Sequence, residues 1–309
     1  MHQAYLELNG VRTKVSTWGK WVEESTKDTE DIVIIITGNP GISGFYDLFA
    51  ETINEKLGYP VWCLGHAGHD LPKEPITLPK FNDHKELYGL KGQIQHKVLS
   101  YLCFLLIFFE KYVPINTRVH LIGHSIGCYM ILELLEHPSI KDKVSDVHLL
   151  FPTIEHMAET KNGKFLTTFI KPIVWLIVFV SWIFTILPNI IQFILIYAYM
   201  TFTGISIEEH FKNVKAIVNP GVLRRVFFLA FEELDQVKER NNEVIKSNIN
   251  KLKLYYGKND GWAPASFCDR IKIDIPNINA QVSSYDHTFV LKRNVEVGNI
   301  VSDWIKAKQ

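Results

Sequence analysis

The residues best suited to chemistry in this chain are 123–127, GHSIG, in which a serine stands between two glycines. An apolar run at 119–122 precedes them, and a helical pattern at 126–136 follows. A G-x-S-x-G segment between a strand and a helix is typical of a sharp turn that holds a serine hydroxyl clear of a sheet. Glycine suits both places because a side chain would clash with the strand and helix that cross there. The pattern therefore predicts that Ser125 is a nucleophile that can form an acyl intermediate.

A serine nucleophile needs a general base and an acid that orients the base. Asp260 lies in a loop after the predicted strand 251–256, and His287 follows the short predicted strand 280–282. Of the twelve histidines, His287 alone comes after Asp260 in the sequence. The carboxyl ends of parallel strands meet at one edge of a sheet, so we expect both side chains there. The order predicts that His287 takes the proton from Ser125 and that Asp260 fixes the tautomer of His287.

Alternatives to this assignment stay open at the level of sequence. Asp260 stands in an Asn-Asp-Gly segment, which often does no more than form a turn. Glu155 follows the predicted strand 147–151 and is a competing acid, because some serine enzymes of this type place the acid one strand earlier. His287 alone could be a surface histidine. The order of the three residues, each at a strand end, favours the triad of Ser125, Asp260 and His287.

The turn 37–42, TGNPGI, follows the predicted strand 32–36 and can supply an oxyanion hole. A turn rich in Gly and Pro can bring its backbone close to a reacting carbonyl. We predict the N–H of Asn39 as one donor, because Pro40 has no N–H, with 41–42 as the alternative donor site. The N–H of Ile126, at the positive end of the following helix, is the predicted second donor. An ordinary tight turn remains the alternative interpretation of 37–42.

The elements that must position these residues alternate between strands and helices. Predicted helices at 90–112 and 126–136 separate the later strands, and the strands are predicted at 4–8, 14–18, 32–36, 60–64, 119–122 and 147–151. This alternation predicts an α/β class with a mostly parallel, doubly wound sheet, the α/β-hydrolase fold. We predict that 1–155 form the first part of the core and 249–309 the second, with a helical cap inserted at 156–248.

Inside the cap, residues 172–207 contain no charged side chain. An apolar run at 173–187 is interrupted at Pro188 and resumes at 190–200 with only Gln192 clearly polar. Each large apolar residue contributes about −0.3 to −0.6 kcal/mol at the centre of a bilayer. The composition therefore predicts that 172–207 contact a membrane or a lipid monolayer.

The kind of membrane contact follows from the position of the triad. Ser125 precedes the apolar segment and Asp260 follows it, so the chain must cross a membrane an even number of times. As a helix, 173–187 would be roughly 22 Å long, short of a hydrocarbon core of about 30 Å. We predict a hairpin that enters one leaflet and turns at Pro188, where polar backbone groups must find partners. The alternative is a lid of apolar helices over an acyl pocket in water.

Charge and cysteine usage exclude other classes. Lys plus Arg and Asp plus Glu are balanced at 33 each, which gives no electrostatic reason to expect a nucleic acid partner. Residues 1–7 lack the features of a secretory signal, and the four cysteines lie far apart, so we expect free thiols in a reducing compartment. His66 and His69 lack an evident third ligand, so we expect hydrogen bonds within their loop and neither a metal nor an organic cofactor.

Motifs along almost the whole chain resemble those of the lipid droplet-associated hydrolase family. They are, in order, 38–41 (GNPG), 66–69 (HAGH), 88–94 (YGLKGQI), 123–127 (GHSIG), 151–155 (FPTIE), 255–262 (YYGKNDGW) and His287 with Phe289. Thr37, where the family usually has proline, and Thr288, where alanine is common, are departures outside the triad. The resemblance implies a serine enzyme of the α/β-hydrolase superfamily on the cytosolic face of lipid droplets and the endoplasmic reticulum.

The resemblance also implies that Ser125, Asp260 and His287 are the catalytic triad. The substrate that we expect is an ester of an apolar lipid, such as a sterol ester or an acylglycerol. Two alternatives come from other classes. The first is a protein that organises or tethers lipid at the droplet surface, with a weak or idle triad. The second is an epoxide hydrolase or haloalkane dehalogenase, which residues 38–40 resemble, but those enzymes need a carboxylate where Ser125 stands.

Overall fold

One mixed sheet of eight strands runs through the part of the chain that the computed structural model describes, which is residues 1–21, 24, 31–72, 77–102 and 117–307. Its spatial order is β1-β2-β4-β3-β5-β6-β7-β8. The strands are β1 His2–Leu8, β2 Val11–Trp18, β3 Asp31–Ile36, β4 Val61–Leu64, β5 Arg118–His124, β6 Val144–Leu150, β7 Leu252–Gly257 and β8 Asn279–Ser283. Strands β3 to β8 are parallel, whereas β1 and β2 pair antiparallel at one side.

The register of the parallel strands brings their carboxyl ends to one edge. Ile36 of β3 pairs with Gly123 of β5, and Leu150 of β6 pairs with Tyr255 of β7. The loops that follow β3, β5, β7 and β8 therefore open on the same side of the sheet. These are the loops that carry the residues singled out from the sequence.

The middle of the sheet is buried on both faces, which explains its unbroken apolar runs. In β3, Ile32 and Ile34 pack into the hydrophobic core on one face, while Val33 and Ile35 pack into the core on the other. Successive side chains of a strand point to opposite faces, so one run of isoleucine and valine serves both cores.

Helices cover both faces of the sheet. Helix α1 packs with the last helix, α12, on one face, while α2 and α3 lie on the other. The helices are α1 Asp47–Leu57, α2 Leu90–Leu102, α3 Ile126–Leu134, α4 Pro138–Lys141, α5 Lys161–Phe165, α6 Val174–Ile186, α7 Asn189–Thr203, α8 Ile207–Ile217, α9 Pro220–Gln236, α10 Asn242–Ser247, α11 Ala265–Asp274 and α12 Asn294–Lys306. The predicted extension of α2 over 103–112 lies outside the described residues.

The helices α5 to α10 come between β6 and β7 in the sequence, where we predicted the cap. The first apolar helix is longer than predicted: a helical run extends from Lys161 to Ile186 rather than starting at 173. It passes through a π-helical stretch, Leu166–Ile170, and a 3-10 turn, Lys171–Ile173. Pro172 has no N–H to donate and its ring crowds the preceding turn, so the helix changes its winding there without ending.

This run of 26 residues is the one described helix that is long and apolar enough to cross a membrane, so the premise that the first apolar helix is too short to span was wrong. Its most apolar stretch is almost entirely exposed. It forms a hairpin with α7, and the break falls at Leu187 and Pro188. Gln192 is buried at the turn, and its Nε2 donates to the carbonyl oxygens of Leu187, at 2.8 Å, and Thr185, at 3.3 Å. The side-chain amide thus satisfies carbonyl groups that the end of α6 leaves free.

The outer surface of this hairpin is strongly apolar. Trp175 is 70% exposed and Phe202 is 92% exposed, and many other large apolar side chains from Phe165 to Phe202 are also exposed. Proteins in water rarely expose a contiguous apolar surface of this extent, which is typical of a protein or membrane interface.

Candidate active site

Ser125 occupies a strained position at the junction of β5 and α3. Its φ is 54° and its ψ is −123°, a conformation that L residues rarely adopt, and its N–H donates to the carbonyl of Leu150 at 3.0 Å. A Cβ at Gly127 would lie 2.4 Å from the carbonyl oxygen of Ile36, and one at Gly123 would lie 2.9 Å from the backbone nitrogen of Cys128. These contacts explain why glycine flanks the serine on both sides.

The structure brings the three predicted residues into one hydrogen-bonded chain. His287 Nε2 lies 2.9 Å from Ser125 Oγ, and His287 Nδ1 lies 2.8 Å from Asp260 Oδ2. The other carboxylate oxygen of Asp260 accepts the N–H groups of Trp262, at 2.7 Å, and Ala263, at 3.0 Å. Ser125 follows β5, Asp260 follows β7 and His287 follows β8, so three separate strand ends supply the arrangement.

The environment of Asp260 favours its ionised form. Burial by itself would raise the pKa of Asp260, but the hydrogen bond and charge of His287 and the two backbone N–H groups lower it below 3.8. An ionised carboxylate can only accept hydrogen bonds, so Nδ1 of His287 must carry a proton. A neutral His287 then presents the lone pair of Nε2 to the hydroxyl of Ser125.

Glu155, the competing acid, is engaged elsewhere. It is buried, and its Oε1 accepts a hydrogen bond from Arg240 Nη1 at 2.6 Å. Its other oxygen lies 3.7 Å from Arg270 Nε, and Arg240 also pairs with Asp274. The side chain of Glu155 therefore belongs to an ion-pair network that includes Arg270 and Asp274 of α11. The Nδ1 of His287 faces Asp260 instead.

The turn after β3 lies against Ser125. A Cβ at Gly38 would be 2.9 Å from the Cβ of Ser125. The N–H of Gly38 donates to Tyr46 Oη at 2.7 Å, and the N–H of Gly41 donates to His69 Nδ1 at 2.9 Å. The N–H of Asn39 lies between these two occupied donors, which favours it over Gly41 as an oxyanion donor. The other predicted donor, Ile126, is the first residue of α3 and directly follows Ser125.

His66 and His69, in the loop after β4, contact the turn after β3 in different ways. Burial lowers the pKa of His69 to about 3, so its Nδ1 is free to accept the N–H of Gly41. The hydrogen bond found within the loop is a backbone one, from the N–H of His69 to the carbonyl oxygen of His66 at 3.1 Å. The ring nitrogens of His66 have no partner in the described residues. Its ring packs on Gly41, where a Cβ would lie 2.3 Å from His66 Cγ. Among the described residues, no group of three or more His, Cys, Asp or Glu side chains could hold a metal ion.

Two further residues link the turn after β3 to the loop that carries His287, and neither was singled out from the sequence. Tyr46 Oη lies 2.6 Å from His124 Nδ1, and His124 Nε2 lies 2.9 Å from the carbonyl oxygen of His287. That carbonyl can only accept, so Nε2 of His124 carries the proton and Tyr46 donates to Nδ1. Burial lowers the pKa of His124 to about 3, which keeps the ring neutral. His124 could have been suspected as part of the motif, whereas Tyr46 has no local signal.

A cavity of about 620 Å³ opens from Ser125 and lies between the core and the cap. Its walls are mainly apolar, and those from the cap include Leu166, Phe184, Leu195, Ile196, Tyr199 and Phe227. Ser125, Asn39 and His287 are among its polar lining residues. Leu195 and Tyr199, one turn apart on α7, are 48% and 53% exposed, so the outer apolar face and the cavity share a wall.

One acidic side chain of the cap also lines this cavity. Glu233, on α9, is buried, and its Oε1 accepts a hydrogen bond from Asn39 Nδ2 at 3.0 Å. Burial raises the pKa of Glu233 to about 8. The sequence held a signal that we did not use: Val222, Leu229 and Glu233 fall on one buried stripe of α9, so the glutamate occupies an apolar position.

Comparisons with known proteins agree with this architecture. A family model described as lipid-droplet associated hydrolase matches residues 29–290. The lipid droplet-associated hydrolase of Drosophila melanogaster is 41% identical over 314 residues, covering 99% of this chain and 98% of that protein. The Mus musculus protein of the same name is 33% identical over 324 residues, covering 99% and 95%.

A solved structure supports the fold. A laboratory-evolved variant of a potato epoxide hydrolase superposes with a TM-score of 0.59 at 14% identity and covers 99% of each chain. At that identity the likeness concerns the fold alone. The predicted α/β-hydrolase fold is confirmed.

Proposed function

The chain belongs to the lipid droplet-associated hydrolase family, and from this premise we propose that it is a serine esterase that cleaves carboxylic esters of apolar lipids. Membership by itself makes the chain a hydrolase that is associated with lipid droplets. The finer proposal depends on one observation: Ser125, His287 and Asp260 form a hydrogen-bonded chain, and Ser125 and His287 line a mainly apolar cavity. A cavity of this kind suits a neutral lipid ester whose acyl chain lies along the apolar walls.

In the proposed reaction, Nε2 of His287 takes the proton of Ser125 as Oγ attacks the ester carbonyl carbon. The negative charge that develops on the carbonyl oxygen is stabilised by the N–H groups of Asn39 and Ile126. His287 then returns the proton to the departing alcohol oxygen, which leaves an acyl group on Ser125. A water molecule that gives its proton to His287 attacks this acyl group, and the carboxylic acid is released.

We propose that residues 172–207 hold the protein on a lipid monolayer or in one leaflet of the endoplasmic reticulum membrane, with the catalytic core on the cytosolic side. The exposed apolar face supports membrane contact, and the bonds of Gln192 satisfy the polar groups of a turn at depth. The hairpin also forms part of the cavity wall, so the anchor and the lid are the same element. The size of this apolar surface favours the second candidate, a protein that organises lipid at the droplet surface with an idle triad.

Labelling with a fluorophosphonate probe, followed by measurement of released fatty acid, separates the two candidates. For the enzyme, we expect the wild-type chain to be labelled and to hydrolyse a neutral lipid ester in emulsion. Ser125→Ala should abolish both reactions and leave the thermal midpoint of unfolding nearly unchanged, because the change removes only a hydroxyl group that borders the cavity. Labelling that persists in Ser125→Ala would remove Ser125 from the mechanism, and labelling without any ester hydrolysis would favour the surface-organising protein.

A further inference from the structure

Glu233 is a buried acid in the cap that the proposed reaction does not use. It is 2% exposed and lines the cavity that holds Ser125. Burying a carboxyl group among apolar side chains is costly unless its hydrogen bonds are satisfied. The partner that it has is Asn39, whose Nδ2 donates to Glu233 Oε1 at 3.0 Å. Among the described residues, the side-chain partner of Glu233 therefore belongs to the turn that carries the proposed oxyanion donor.

The same cap helix holds the side chain of Asn39 at a second point. The amide nitrogen Nδ2 also donates to the backbone oxygen of Val226 at 3.0 Å. A side-chain amide has two N–H donors, so α9 uses both of them. Val226 and Glu233 are about two turns apart on α9, so two separate points of this helix hold the side-chain amide of Asn39. We call this pair of hydrogen bonds the clamp on Asn39. Because the peptide N–H of Asn39 belongs to the same residue, this clamp constrains where that N–H lies relative to Ser125.

We propose that Glu233 is a positioning residue that acts through Asn39 to hold the oxyanion turn in place, so that the cap and the chemistry at Ser125 are coupled. This inference rests on the proposed function. Glu233 itself does not touch the reacting atoms in this scheme. Its contribution is to keep one donor of the oxyanion hole aligned, which should appear in kcat rather than in KM.

The protonation state of Glu233 makes this role dependent on pH. Burial raises its pKa to about 8, so the carboxyl group is mainly neutral at pH 7. The titratable side chains that line the same cavity are Tyr46, His124 and His287 from the core and Tyr199 from α7. In the described part of the chain Glu233 forms no ion pair that could hold it ionised. Above pH 8 a carboxylate forms next to the oxyanion turn, where its charge opposes the developing oxyanion. The rate should therefore fall as the pH rises through about 8.

Two substitutions separate the hydrogen bond from the charge. Glu233→Gln keeps the shape and an acceptor for Asn39 but cannot ionise, whereas Glu233→Leu removes the acceptor. Asp235→Asn is the matched control, because Asp235 is an exposed carboxylate on the same helix. Each variant is measured as the purified full chain on a soluble short-chain ester from pH 6 to 9.5, beside Ser125→Ala.

We expect the wild type and Asp235→Asn to lose kcat above about pH 8, and Glu233→Gln to keep its kcat at high pH. Removing one oxyanion donor typically costs about 10²–10³ in kcat, so a displaced donor in Glu233→Leu should cost at least about tenfold at pH 7 with KM nearly unchanged. The thermal midpoint of the wild type should fall between pH 5 and 8, as a carboxyl with a raised pKa in the folded state loses stability over that range. The midpoint of Glu233→Gln should fall less.

The outcomes that overturn the inference are distinct from those that overturn the proposed function. A Ser125-dependent reaction with the wild-type kcat in Glu233→Leu overturns the positioning role alone. An unchanged decline of kcat at high pH in Glu233→Gln overturns the pH dependence of that role. A wild-type chain without any Ser125-dependent reaction overturns the proposed function and this inference together.

Discussion

Two carboxylates, Asp260 and Glu155, follow neighbouring strands of the sheet and differ in what surrounds them. Backbone N–H groups fix one oxygen of Asp260, so the other oxygen is directed at Nδ1 of His287. Glu155 is neutralised by the guanidinium of Arg240. The same chemical group can therefore hold the proposed catalytic base in one place and form an ion pair with an arginine in the other, and the local partners decide which.

Exchange of each acid for its amide should separate these roles. Asp260→Asn should lower kcat by about 10⁴, because an amide can donate to Nδ1 and favour the wrong tautomer of His287. Glu155→Gln should keep kcat per folded molecule within a fewfold range, since Glu155 does not contact His287. It should instead lower the free energy of unfolding by about 1–3 kcal/mol through the weakened bond to Arg240.

Steady-state kinetics on a soluble ester and chemical denaturation of the full chain measure the two effects. If Glu155→Gln proved the slower enzyme and Asp260→Asn the less stable protein, the acid of the triad would belong to the loop after β6 instead.

The sequence predicted Ser125, Asp260 and His287 because each lies beside a local pattern and their order along the chain narrows the choice. Glu233 and Tyr46 could not be found in that way. Glu233 meets Asn39 across 194 positions of sequence, and Tyr46 meets His124 across 78. Those contacts depend on how α9 and the turn after β3 pack on the sheet, which no local pattern encodes.

At the scale of elements, the hairpin of α6 and α7 shows the same limit. Its apolar character and its break at Pro188 followed from composition alone. The start of its first helix did not, because Pro172 suggests a helix end and the structure shows an uninterrupted helical run with altered winding. A helix can continue past a proline when the neighbouring turns change their winding and the flanking residues favour a helix. Whether it continues depends on the whole helical run and not on the proline alone.

Charges placed on the exposed face of α6 should prevent membrane attachment. We expect a variant with Trp175→Asp, Phe179→Asp and Trp182→Asp to move from microsomes and droplets to the soluble fraction. Each aspartate costs about 2.5–3.5 kcal/mol at the centre of a bilayer on insertion scales, and all three side chains are exposed. Ser125 should remain reactive to a small fluorophosphonate, since none of the three residues lines the cavity.

A matched triple variant with Ile273→Asp, Val282→Asp and Val295→Asp introduces the same charges on exposed apolar residues outside the cap. This control should stay on membranes. Flotation with liposomes and with isolated droplets gives the measurement. A hairpin variant that floats as well as the control would rule out α6 as the anchor.

On the scale of the whole molecule, the core and the cap share hydrophobic packing as well as the cavity. Leu229 and Leu234 of α9 belong to the hydrophobic cluster on one face of the sheet, and Val222 belongs to the cluster on the other. Ser125, Asp260 and His287 follow the ends of β5, β7 and β8. All eight strands of the sheet come from outside the cap. The cap contributes the outer cavity wall and the clamp on Asn39.

Replacement of residues 173–200 by a short polar linker should therefore separate membrane attachment from the reactivity of Ser125. We expect the shortened chain to leave membranes and to keep Ser125 reactive to a small soluble probe. Its hydrolysis of long-chain esters should fall far more than that of short-chain esters, because Phe184, Leu195 and Tyr199 no longer form the cavity wall.

Conversely, residues 164–212 fused to a soluble reporter should bring the reporter to membranes. A shortened chain that remains on droplets would assign attachment to another surface, and one that loses reactivity to the small probe would show that the core depends on the hairpin for its own closure.

The shared wall formed by Leu195 and Tyr199 has a consequence for how rates should be expressed. With the hairpin in lipid, as proposed, the substrate passes from the monolayer to Ser125 without entering bulk water. The quantity that saturates the enzyme is then the mole fraction of ester in the surface, and diluting an emulsion at constant surface composition should leave the rate per bound molecule unchanged. Inert lipid in the same monolayer should slow the reaction by two-dimensional dilution, and a released fatty acid should return to the surface that supplied its ester.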